Sequence, residues 1–206
     1  MKTLTGISAS DGVVIGKPYY IKKQSFLQNN KFTDATTEEK RFLDAKTKVE
    51  QFLDDIYIKA EKEVGTEKAQ IFEVHKMMLL EEDFNQNIIN KIKEGNCAEV
   101  AVINASKELS DMFLSMDNDY MKARAEDIRD IADNLISFLN NDSRNFKIDE
   151  PSIFVAKDFS PSDTMDIDKT KILALVMEEG STLSHTAILA RTLGIPAMVC
   201  VKGILD

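Results

Sequence analysis

His185 lies in the stretch EEGSTLSHTAILARTLGIPAMV, Glu178 to Val199, where small polar residues run into a helical pattern. A turn leading into a helix leaves several N–H groups unpaired at the positive end of the helix dipole, and such a place stabilises an anion. Neutral imidazole is a nucleophile, and its second ring nitrogen needs a partner to fix the tautomer. A nucleophile beside an anion-stabilising turn suggests a phosphohistidine. From spacing alone the signal is weak, and one histidine near a helix start is more often structural. The turn Gly180-Ser181-Thr182-Leu183-Ser184 matches neither a Walker loop nor a dinucleotide fingerprint, and no Ser-His-Asp order is legible.

The second of the two histidines reads differently. In TEKAQIFEVHKMMLLEED, Ile71, Val74, His75, Met78 and Leu79 fall on one helical face, which makes His75 a partly buried structural residue. Met77 and Leu80 project off that stripe beside Glu67, Glu81, Glu82 and Asp83. They form either a contact patch or a packing surface for another helix.

These residues need elements to hold them. Residues 3–23 look strand-like, with Val13, Val14, Ile15, Tyr19, Tyr20 and Ile21 punctuated by Gly12, Gly16 and Pro18. A polar linker follows over 24–35. Thr36-Thr37-Glu38-Glu39 reads as a capping box, followed by Phe42, Ala45, Val49, Phe52, Leu53, Ile56 and Ala60 at helical spacing. Gly65 and Gly95 break helices, Thr66 can cap one, and Asn96 with Glu99 another. A last helix spans about Tyr120 to Leu139. The pattern then reverts to short buried strands at Ser152–Ala156, Ile172–Met177 and Ala197–Val201, with a helix from about Ser184 to Leu193. The expected fold class is mixed α+β or α/β. An α/β subdomain comes from both chain ends, 1–23 and 144–206, and an all-α bundle is inserted over 36–143.

Composition narrows the class. The chain has 206 residues, 43% hydrophobic and 30% charged, with no apolar run long enough to span a bilayer and no signal-peptide pattern. Cys97 and Cys200 fit no metal spacing and read as reduced thiols of a cytoplasmic protein. A net charge of −9 argues against nucleic-acid binding. Residues 36–142 hold 14 basic and 24 acidic side chains, a balance of −10, while the rest hold 12 and 11, a balance of +1. That acidity marks either solvated helix faces or a docking surface for a basic partner.

SHTAILARTLGIPAMV resembles the phosphohistidine signature of the phosphoenolpyruvate-utilising enzymes. GISASDGVVIGKPYY, EKAQIFEVHKMMLLEEDF, DNDYMKARAEDIRDIADNL and AKDFSPSDT are similar, in the same order, to segments of the N-terminal domain of Enzyme I of the bacterial sugar phosphotransferase system. The resemblance implies a kinase-like transferase of sugar transport. Phosphate passes from phosphoenolpyruvate to a histidine and on to the carrier protein HPr. It implies His185 as phosphoacceptor through Nε2, Thr164 as the group orienting the imidazole, and Gly180 and Ser184 as parts of the anion-stabilising turn. It places Lys68 near the active histidine, paired with Glu67, and docks HPr around Glu67, Ile71, Met78, Leu79, Glu81 and Asp83.

Family members continue into a phosphoenolpyruvate-binding barrel that holds magnesium. The resemblance therefore implies a monomeric portion of a longer enzyme, with a truncated α/β subdomain, no cofactor of its own and no use of phosphoenolpyruvate alone. Two alternatives stand beside it: a carrier-binding module without phosphoryl transfer, and the phosphohistidine domain of a dikinase or phosphoenolpyruvate synthase relative. Ser181 stands where the family has a second glycine, Leu183 where it has threonine, Asp11 for proline, Leu80 for glutamate and Cys200 for glycine. A positive φ at Ser181 would strain the turn.

Overall fold

The computed structural model describes residues 3–21, 31–141 and 148–206. Most of the linker expected over 24–35 therefore lies outside the described residues. The chain divides into two compact units, one of Met1–Gln24, Ile58–Ala69 and Asn145–Asp206, the other of Ser25–Tyr57 and Gln70–Arg144. The first holds the sheet and the second most of the helices. Ile58–Ala69, where one helix ends and the next begins, goes with the sheet.

The α/β unit is built on five strands: β1 (Ile7–Ser10), β2 (Pro18–Tyr20), β3 (Ser152–Ala156), β4 (Ile172–Met177) and β5 (Ala197–Val199), in the spatial order β1-β5-β4-β3-β2. β2 through β5 run parallel, and β1 pairs antiparallel with β5. Both early strands thus find partners only in the far end of the chain, as expected. They occupy opposite edges, so residues 11–17 must cross from one edge to the other. A Cβ at Gly12 would lie 2.4 Å from Pro196 Cγ, and one at Gly16 would lie 2.5 Å from Leu173 Cδ1. The crossing runs too close to its neighbours for side chains at those two points. Val13 and Ile15 between them stand 97% and 96% exposed. Their β-forming character pointed to strand, but the close backbone approach turns them outward as loop.

Strands β3 and β4 are apolar because both faces are covered. Phe154, Leu175, Met177, Ala197 and Val199 pack with Ala187 and Ala190 of α7 (His185–Leu193) and with Phe159 and Ile167. Tyr19 adds a ring contact to Phe154 at 5.4 Å between centroids. Ahead of the short α6 (Pro161–Asp166), Ser160 makes a reciprocal capping box with Asp163, at 3.1 Å in each direction.

The helical unit draws on α1 (Ala35–Val64), α2 (Thr66–Leu80), α3 (Glu82–Lys93), α4 (Ala98–Ser115) and α5 (Asp119–Leu139). The periodic residues Phe42, Ala45, Val49, Leu53 and Ile56 of α1 are buried, as are Ile128, Ile131 and Leu135 of α5. Small residues Ala101, Ala105, Ala125 and Ala132 are buried on α4 and α5, which pack together.

Three caps differ from the sequence expectation: Thr66 is the first residue of α2 and its hydroxyl donates to Glu61 at 3.2 Å, and two others follow. Asp34, not Thr36, begins α1, accepting from the Thr37 amide at 2.9 Å. Glu38 turns inward instead, and its carboxylate accepts from the Ala98 amide at 3.0 Å, capping α4 from 60 residues away. Asn96 does not cap α4 but donates back to the Lys91 carbonyl at 2.8 Å, closing α3. Glu38 and Glu99 are both buried and bridged by the Arg41 guanidinium. Burial opposes the Glu38 charge, yet the Ala98 amide, the Thr33 hydroxyl and Arg41 together hold its carboxyl below the usual range. Among the described residues no helix is long and apolar enough to cross a membrane.

Candidate functional site

The turn before α7 is organised by its own carbonyls. Gly180 has φ 99°, which an L side chain adopts only with strain, and a Cβ there would sit 3.3 Å from Asp158 Oδ1. Its carbonyl accepts from the Cys200 thiol at 3.3 Å. The Ser181 carbonyl accepts from the Ser184 amide at 3.2 Å, and the Ser181 hydroxyl from the Leu183 amide at 3.0 Å. The Thr182 carbonyl accepts from Arg191 Nη2 at 2.7 Å. Ser184 is the N-cap, its hydroxyl accepting from the Ala187 amide at 3.2 Å. Among the described residues, the amides of Ser181, Thr182, His185 and Thr186 have no protein acceptor. Unpaired donors in the turn and at the start of the helix are what an anion site requires.

His185 is the first residue of α7 and half buried. Among the described residues, neither ring nitrogen is hydrogen-bonded. Thr164 is buried on α6, which packs against α7. Its hydroxyl donates to the Ser160 carbonyl at 3.0 Å. Thr164 therefore keeps only acceptor capacity and can receive a ring N–H but not give one. No hydrogen bond joins Thr164 to His185 in this structure.

The strain anticipated at Ser181 is absent. Among the described residues only Asn141 and Cys200, besides glycines, have positive φ, and Cys200 has φ 58°. The position that needs glycine's freedom is Cys200, at the end of β5, and the serine fits the turn without that cost.

The expected docking residues separate by burial. Glu67 and Lys68 are exposed and, among the described residues, form no ion pair with each other. They fall in the α/β unit, whereas Ile71, Met78, Leu79, Glu81 and Asp83 fall in the helical one. Leu79 and Ile71 are core residues, because the face of α2 that carries His75 points into the bundle. They offer no surface to a partner. Met78 is half buried, and Glu81 and Asp83 are exposed. The apolar surface comes from Met77, 63% exposed, and Leu80, 42% exposed.

Three positions were not legible as site residues. Thr186 is buried, and its hydroxyl donates to the Phe159 carbonyl at 2.6 Å, tying α7 to the loop ahead of α6. Arg191 and Cys200 hold turn carbonyls from six and fifteen residues beyond His185. Only the helical phase of SHTAILAR could have hinted at Arg191, which lies under two turns from His185. Among the described residues no three His, Cys, Asp or Glu side chains group as a metal site.

Residues 5–124 match the family described as PEP-utilising enzyme, N-terminal, and residues 148–206 match PEP-utilising enzyme, mobile domain. The chain is 37% identical over 211 residues to the phosphoenolpyruvate-protein phosphotransferase of Staphylococcus aureus, with 98% of this chain and 36% of that protein covered. The corresponding protein of Listeria innocua is also 37% identical, over 207 residues and with the same coverage. The chain thus spans about a third of the length of these relatives. A solution structure of an Enzyme I protein determined by NMR has TM-score 0.76 and 31% identity, covering 99% of this chain and 85% of that one. The N-terminal domain of a nitrogen Enzyme 1, at 21% identity and TM-score 0.70, covering 96% and 83%, shares the fold. Half of the chain by one family match, and most of the rest by the other, place it among the phosphoenolpyruvate-utilising enzymes.

Proposed function

We propose that this chain is the phosphohistidine-bearing part of a phosphoenolpyruvate-protein phosphotransferase, exchanging a phosphoryl group between His185 and a histidine of HPr. The observation that carries the reading is an unbonded imidazole on the first residue of α7, beside four amides without acceptors. A neutral ring nitrogen attacks phosphorus, the new N–P bond forms at His185 Nε2, and the N–P bond on the carrier breaks with its electron pair returning to the carrier's imidazole. The amides offset the charge gathering on the phosphoryl oxygens in the transition state. Thr164, as an acceptor, suits a proton on the other ring nitrogen and so leaves Nε2 free to attack. Gly180 and Ser184 set the turn that presents the donors.

The docking surface on the helical unit uses exposed Met77 and Leu80 with Met78, Glu81 and Asp83 beside them. Its apolar and acidic character suits a carrier with an apolar face rimmed by basic residues. Glu67 and Lys68 would act on the α/β side. Phosphoenolpyruvate and magnesium would be handled by the C-terminal domain of a longer enzyme, and the expected setting is cytoplasmic.

The test is incubation of the folded chain with phosphorylated HPr, followed by intact-mass spectrometry. One added phosphate, labile in acid and stable in base, is the expected result. Carrier binding seen by NMR titration without any added phosphate would instead favour a carrier-binding module.

A further inference from the structure

We infer that Arg191 is a positioning residue for phosphoryl uptake, acting as a brace that locks the turn before His185; the inference rests on the phosphotransfer reading above. Its guanidinium joins two points. Nη2 donates to the Thr182 carbonyl at 2.7 Å, and Nε donates to the Ala187 carbonyl at 3.2 Å. One end holds the turn and the other holds α7 one turn below, so turn and helix move together.

The consequence follows from peptide geometry. The C=O and N–H of a trans peptide plane point in opposite directions. Fixing the carbonyls of Gly180, Ser181 and Thr182 therefore fixes the amides of Ser181, Thr182 and Leu183. The Gly180 carbonyl is held by Cys200 and the Ser181 carbonyl by the Ser184 amide. The Thr182 carbonyl is held by Arg191 alone among the described residues. Without that bond, only the Leu183 N–H donated to the Ser181 hydroxyl at 3.0 Å still resists a flip of the Thr182–Leu183 peptide. After a flip, a carbonyl oxygen would lie among the donors, repelling a phosphoryl group. Leu183, 82% exposed, provides no packing of its own to resist the flip. The guanidinium is suited to this task because its planar fork reaches two acceptors at once, which the point charge of lysine does not reproduce.

The test compares the wild-type chain with Arg191→Lys and Arg191→Ala. Both variants should keep the wild-type helical spectrum, since the Arg191 side chain is exposed. The Ser181, Thr182 and Leu183 amide resonances should shift and exchange faster in Arg191→Ala. Phosphoryl uptake from phosphorylated HPr should slow about ten- to hundred-fold, the usual consequence of a misplaced reacting group. Arg191→Lys should recover only a minor part of that rate. Full recovery with lysine would show that charge alone matters and would overturn the brace. An unchanged rate or unchanged turn resonances in Arg191→Ala would overturn it too. If Arg191→Ala fails to fold, the lysine variant decides by the same two readouts. Absence of phosphate on the wild-type chain would sink the phosphotransfer reading, and the turn resonances alone would then decide whether the brace exists.

Discussion

The two histidines of this chain sit in opposite surroundings. His75, on α2, is fully buried, with Nε2 3.2 Å from Asp127 Oδ1 and Nδ1 3.3 Å from Asp130 Oδ2. The Asp127 contact is a hydrogen bond, while the approach to Asp130 is close but poorly aligned for one. Arg124 donates to the other oxygen of Asp127 at 2.8 Å. Burial works against a charge on His75, but the two carboxylates outweigh it and raise its pKa to about 9. An imidazolium with a carboxylate at each nitrogen has no lone pair to offer. His185 is half buried, unbonded at either nitrogen, and flanked by unpaired amides. Residue type is the same in both places; the neighbours decide that one histidine is a counter-ion in a core and the other a candidate nucleophile.

Substitutions that remove each imidazole separate these roles most strongly. On the proposed function, His185→Ala abolishes phosphate uptake while changing stability by about 1 kcal/mol or less, since the half-buried ring has no hydrogen bond to lose. Mass spectrometry and thermal unfolding would read the two effects. His75→Ala removes the imidazolium from between Asp127 and Asp130, leaving Arg124 on Asp127. Breaking such a buried pair costs about 3–5 kcal/mol, measurable by urea unfolding followed through helix content.

The same contrast appears in pH. The folded pKa of His75 lies above its ordinary value of 6.5. Its contribution to stability is therefore complete below pH 6.5, declines above it, and is gone once pH has risen through about 9. Denaturant midpoints taken across that interval should fall in the wild-type chain. The part of that fall due to His75 should vanish in His75→Ala.

Smaller effects sharpen the picture of the turn. Thr186→Val leaves the buried Phe159 carbonyl without its donor and should cost about 1–3 kcal/mol. Cys200→Gly relieves the positive φ and should add about 1 kcal/mol at most, less the thiol bond to Gly180. Ser181→Gly, which has no strain to relieve, should not stabilise; a gain there larger than at Cys200 would show that the strain has been misplaced.

Much of this was legible in the sequence, for identifiable reasons. Ser152–Ala156 and Ile172–Met177 are continuous apolar runs, and a strand buried on both faces needs just that pattern. The break at Gly95 and the span of α5 were readable because helix punctuation is local. What stayed hidden depends on distant partners. The partners of His75 are 52 and 55 residues away, so its stripe showed burial but not its charge. Glu38 looked like part of a local cap, yet its partner is the Ala98 amide. Val13 and Ile15 carried a strand signal that only the approach of Gly12 to Pro196 and Gly16 to Leu173 overrides. At the site, the signature containing His185 was visible, while the braces at Arg191 and Cys200 needed coordinates because each holds a backbone carbonyl, which no residue type announces.

On the proposed function, surroundings make His185, and not His75, the phosphate acceptor. The direct measurement is peptide mapping by mass spectrometry, under mildly basic conditions, after transfer from phosphorylated HPr to the folded chain. The expected result is phosphate on the peptide containing His185, none on the peptide containing His75, and none anywhere in His185→Ala. Phosphate on His75, or undiminished labelling of His185→Ala, would contradict it.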